Sequence, residues 1–89
     1  MFRVEWTPEA LNDLAGVWMV ADQDARRAII GATNRIDEQF ASDPFGTSES
    51  RSDDLRILFE SPLGVSFEVD ETHGVVQVVG VWFVRKRGR

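Results

Sequence analysis

Residues 75–84 read VVQVVGVWFV, and no other stretch constrains the fold of this chain as strongly. Side chains along a strand point alternately to its two faces, so Val75, Val79, Val81 and Phe83 line one side while Val76, Val78 and Trp82 line the other. Both sides are apolar and both need a cover. Helices from the rest of the chain can supply one. The second side is a docking surface for a partner, unless the sheet rolls tightly enough for its own loop and tail to close over it.

The preceding residues supply two more strands and the helices. "LRILFE" and "VSFEVD" predict strands over Leu55–Glu60 and Val65–Asp70, and the short turns "SPLG" and "ETHG" join all three strands as antiparallel hairpins. At the N-terminus Phe2, Val4 and Trp6 alternate with Arg3 and Glu5, the period of a strand with one buried face. Thr7 caps a first helix, Pro8 suits its first turn, and Leu11, Leu14, Trp18 and Ala21 carry its apolar spacing. Asp22 or Asp24 caps a second helix, whose stripe is Ala25, Ile29, Ala32, Ile36 and Phe40. Pro44 ends it by disfavouring a helical conformation at Asp43. Phe45 to Asp53 reads as a loop. The expectation is an α+β fold in which a helix hairpin packs on one face of the sheet, with one domain over residues 1–84 and a basic tail over 85–89.

A chain of 89 residues leaves roughly 35–40% of its extended surface exposed after folding, so its three Trp and six Phe weigh heavily. Each contributes about 1.5–3 kcal/mol when buried. The absence of Cys removes disulfides and thiolate chemistry. No signal-like start and no apolar run of membrane-spanning length are present, so the expected location is the cytoplasm, away from membranes. The net charge of −5 disfavours general binding to nucleic acid. It is uneven, because Arg85, Lys86, Arg87 and Arg89 gather at the C-terminus.

Groups able to do chemistry are few. His73 stands in the "ETHG" turn and reads as a solvated residue with no orienting partner. Arg56, flanked by Leu55 and Ile57, faces the opposite side from them; a carboxylate such as Glu68, a phosphate or an acidic partner residue would satisfy it. Asp53 and Asp54 are adjacent but have no third ligand at supporting spacing, so no metal and no cofactor is expected. Glu49 and Arg51 stand in the loop, where they are candidates to pair with the edge that carries the basic C-terminal residues. Met19 and Val20 broaden the apolar part of the first helix beside Trp18, for helix packing or for contact with a partner helix.

The order of strand, helix hairpin, three-stranded meander and basic C-terminus resembles the RelE/ParE superfamily of type II toxin–antitoxin toxins. The segments carrying the resemblance are "VEWTPEALNDL", the "DP" after the second helix, "LRILF" and "VSFEVDETHGVVQVVGVW". The resemblance implies a cognate antitoxin that wraps and blocks the chain, a bacterial plasmid-stabilisation type of system, and one of two activities. RelE-like members cut mRNA in the ribosome; ParE-like members bind DNA gyrase.

The ribosome-dependent nucleases place an Arg at the start of the second meander strand, where this chain has Gly64, and a His or Tyr near the end of the last strand, where it has Trp82 and Phe83. These departures from the nuclease pattern favour protein binding over catalysis. The residues expected at an antitoxin or target contact, from the apolar surfaces and from the resemblance together, are Trp18, Met19, Arg51, Arg56, Val76, Val78, Trp82, Arg85, Lys86 and Arg87. The alternative is an endoribonuclease in which Arg56, Arg85 and Lys86 hold phosphate. A third reading is a non-toxic homo-oligomeric module, a homodimer that buries Val76, Val78 and Trp82.

Overall fold

Thr7 joins the first strand, β1 (Arg3–Trp6), to the first helix, α1 (Pro8–Val20), in a computed structural model that describes residues 1–46, 49–50 and 55–84. Its hydroxyl accepts from the Ala10 N–H at 3.2 Å and donates to the Val78 carbonyl at 2.9 Å, so one side chain caps the helix and ties it to the sheet. At the other end of α1 the Ala21 N–H donates to the Trp18 carbonyl at 3.2 Å. Asp22 then caps α2 (Gln23–Ser42) by accepting from the Ala25 N–H at 2.8 Å.

The stripe predicted for α2 is the one buried: Ile29, Ala32, Ile36 and Phe40 are enclosed, with Ala25 half-buried. Of the face expected on α1, Leu14, Trp18 and Ala21 pack against the core, and the expectation is corrected only at Leu11. Ala10 is buried and Val17 half-buried, whereas Leu11 is 52% exposed. Lying on a sheet beside a second helix, α1 buries Ala10 and Val17 next to the face that spacing selects.

The sheet has five strands in the order β1-β5-β4-β3-β2. β3 (Leu55–Glu60), β4 (Leu63–Asp70) and β5 (Val75–Phe83) form the antiparallel meander, joined by a turn at Ser61–Pro62 with a cis peptide bond and by a turn closing at Gly74, φ +66°. β1 pairs parallel to β5, with Val4 opposite Val76 and Trp6 opposite Val78. β2 (Glu49–Ser50) pairs antiparallel with β3, so the segment read as a loop contains a short edge strand. Backbone pairing of two polar residues leaves no alternation for a sequence to display.

A bulge decides which side of β5 the helices cover. Phe67 lies opposite Val78 but Ser66 opposite Gly80, leaving Val79 without a cross-strand partner. The extra residue reverses the alternation beyond it. Val81, rather than Trp82, joins Val76 and Val78 against the core. Asp13 of α1 accepts from the Val81 N–H at 3.2 Å. At Gly80 a Cβ would stand 2.6 Å from the Ser66 hydroxyl, so a larger residue does not fit there without a shift.

The core lies between the helices and this face, with Phe40 and Phe67 in contact at 4.2 Å between ring centroids. Val76 and Val78 are fully buried in it. Their expected role in contact with a partner or second copy is therefore corrected: the bulge and the helix hairpin put them inside. Among the described residues no helix is long and apolar enough to cross a membrane.

Candidate functional site

The face of the sheet turned away from the helices carries the groups nearest to the expected catalytic positions. Gly64 lies opposite Trp82 in the ladder, and the Trp82 indole covers it: a Cβ at residue 64 would stand 2.5 Å from the indole. Phe59, 50% exposed and opposite Gly64 on the other side, meets the indole edge-on at 6.2 Å between centroids. Ser66 continues this face. An aromatic pair of this kind offers area and one N–H donor, but it exchanges no proton near neutral pH. Phe59 was missed as a surface residue, although the alternation Leu55, Ile57, Phe59 already placed it opposite Arg56 and Leu58.

Arg56 is on the other side of the sheet. It lies opposite Phe67 and shares a face with Leu58 and Glu60, half-buried, its guanidinium 5.0 Å from the centre of the Phe45 ring. It therefore faces away from Leu55 and Ile57. Glu68, however, lies opposite Leu55 and so on the opposite face, which corrects it as a partner for Arg56. Glu60 on the helix side is held instead by Arg35 of α2, Nε to Oε2 at 2.8 Å.

A second apolar surface lies on the outer side of the helix hairpin. Leu11, Leu14, Ala15, Trp18 and Met19 of α1 and Ile29, Ile30 and Thr33 of α2 line an open groove of about 400 Å³. Met19 is 76% exposed and Ile30 50%. Trp18 is half-buried beneath Arg26, whose guanidinium sits 5.0 Å from the ring centre while its Nε donates to the Trp18 carbonyl at 3.0 Å. Trp18 and Met19 thus share one groove, with the helix layer and the sheet between them and Trp82. Ile30 was the missed member; an apolar residue outside the Ile29–Ile36 stripe was its signal.

His73 is exposed in its turn, as expected, but it has an orienting partner. Its Nδ1 is 2.8 Å from Asp70 Oδ2, and its backbone N–H donates to Asp70 Oδ1 at 3.1 Å. The side-chain hydrogen bond from His73, then the backbone one, lowers the Asp70 pKa from the ordinary 3.8. The pair is at the opposite end of β5 from Trp82, roughly 20 Å away at 3.3 Å per residue. The two do not form one site. Among the described residues no cluster of three His, Asp or Glu can hold a metal ion. Arg51, Asp53, Asp54, Arg85, Lys86 and Arg87 lie outside the described residues, as does the side chain of Glu49.

No protein-family model matches the sequence, and no curated protein matches it. Solved structures are similar in fold. A chain of the toxin-antitoxin complex RelBE2 from Mycobacterium tuberculosis aligns with a TM-score of 0.76 at 13% identity, over 92% of this chain and 90% of that one. For the chromosomal ParDE TA system from P. aeruginosa the values are 0.73 and 18%, over 96% and 98%. For the isolated E. coli RelE toxin they are 0.65 and 16%, over 98% and 88%. At these identities the likeness is one of architecture: the chain has the RelE/ParE toxin fold.

Proposed function

We propose that this protein is the toxin-like component of a type II toxin–antitoxin pair, neutralised by a cognate antitoxin, and that it acts by binding a protein rather than by cutting RNA. The observation that carries this reading is the Trp82 indole resting on Gly64. Cleavage through a 2′-hydroxyl requires a base, an acid and positive charge at the phosphorane. The described residues around Trp82 offer Phe59, Gly64 and Ser66, and His73 is far along the strand. The aromatic pair instead suits docking against a protein surface. DNA gyrase is the candidate target, by likeness to ParE, and Arg85, Lys86 and Arg87 follow β5 in the chain with charge suited to an acidic partner. Solved toxin–antitoxin complexes with this fold support the antitoxin.

Two assays on purified protein test the reading. Inhibition of gyrase supercoiling, with no new cleavage products on message in a reconstituted translation reaction, is the expected result. Transcripts cut at the ribosomal A site would overturn it in favour of the endoribonuclease.

A further inference from the structure

We propose that the outer groove between α1 and α2 pairs two copies of this chain, related by a two-fold axis that crosses the helices at right angles near Ala15 and Ile30. The groove is lined entirely by uncharged residues, and Leu11, Met19 and Ile30 each expose half or more of their surface in it. Apolar area gathered in this way on a small chain marks a contact surface.

The charges at its ends indicate which partner fits. At helical spacing with Ile30 and Thr33, Arg26 stands near the start of α2 over Trp18, while its neighbour Arg27 is paired with Asp24 at 3.7 Å, and Asp37 stands about 16 Å further along the helix. A surface with one arginine at one end, one carboxylate at the other and uncharged residues between complements its own copy turned end for end. That rotation brings Arg26 towards Asp37 of the second copy twice over, and Leu11 towards Met19 twice over. Within its own chain Asp37 accepts from Trp6 Nε1 at 2.9 Å through Oδ1, which fixes the carboxylate in place and leaves Oδ2 for the second copy. The middle is free of bulk: Ala15 is there, and at the adjacent Gly16 a Cβ would meet no atom within 4 Å. Two copies of net charge −5 repel at long range, but at physiological salt that repulsion is screened beyond about 8 Å while contact pairs persist. This pairing depends on neither the target nor the antitoxin, so its failure leaves the proposed function standing.

The test is sedimentation of the full chain, made by cell-free synthesis, as wild type, Arg26→Glu, Asp37→Arg, Met19→Glu and an equimolar mixture of the first two variants, with circular dichroism to check folding. The wild type is expected to dimerise. Each single variant should weaken the dimer by about tenfold or more, since like charges then meet or a charge enters an apolar contact. The mixture of Arg26→Glu with Asp37→Arg should recover it, because both charge contacts of the mixed dimer then join opposite signs. Damage to the fold of one variant cannot be repaired by mixing. A wild type that stays monomeric, a dimer indifferent to Met19→Glu, or a mixture that does not recover would each overturn the proposal. So would a chain that is monomeric alone and has this groove covered only by a co-expressed antitoxin.

Discussion

The Trp82 indole lies so close over the Gly64 backbone that a Cβ at residue 64 would stand 2.5 Å from its Nε1 and Cε2. Gly64 is thus a seat for the indole, and the open face of the sheet is shaped by this contact. Gly64→Ala should displace the ring and cost about 1–3 kcal/mol, measured by thermal or urea unfolding. In a Trp82→Ala background the same substitution should cost much less, because the obstructing ring is gone. Equal costs in the two backgrounds would mean that the contact does not govern this face.

Thr7 links helix to sheet through two hydrogen bonds at one hydroxyl, with the Ala10 N–H and the Val78 carbonyl. Thr7→Ala should lower stability by about 1–2 kcal/mol, and Thr7→Ser should recover most of the loss. Denaturant unfolding of both variants checks this.

Phe40 is fully buried against Phe67, where α2 meets β4. Phe40→Ala should destabilise the chain by about 3–5 kcal/mol, enough to unfold much of a small domain at room temperature. Far-ultraviolet circular dichroism through a thermal scan measures the effect.

The folded state lowers the Asp70 pKa below 3.8, chiefly through the hydrogen bond from the His73 side chain. The contribution to stability is therefore fully present above about pH 4 and is lost as pH falls through the folded value, where the carboxylate takes up a proton. Wild type should melt above His73→Ala near pH 5, and the gap should narrow as the solution is acidified below 3.8. A gap independent of pH would remove the pair from any account of acid stability.

Arg56 lies over Phe45 on the helix side of the sheet, away from Trp82. Arg56→Ala should lower the melting temperature, corresponding to about 0.5–1 kcal/mol for the cation–π contact, and leave gyrase inhibition per folded molecule unchanged. Unchanged melting with lost inhibition would place this arginine at the target instead.

Local rules written along the chain determined the bounds of both helices and the faces of β3, although not β2 or the start of β4 at Leu63. Thr7, Asp22 and Pro44 bound the helices, the stripe from Ile29 to Phe40 is the buried one, and the alternation through Leu55–Glu60 set its faces, because caps and periodicity act within a few residues. Tertiary structure alone decided which valines of β5 are inside. The unpaired Val79 shifts the register against β4, and the gain from burying Val76, Val78 and Val81 together outweighs strict alternation. Packing of α1 against both the sheet and α2 left Leu11 and Met19 in an outer groove, and pairing with β3 made a strand of Glu49–Ser50. These outcomes depend on partners distant in the chain, so no local pattern of residues encodes them.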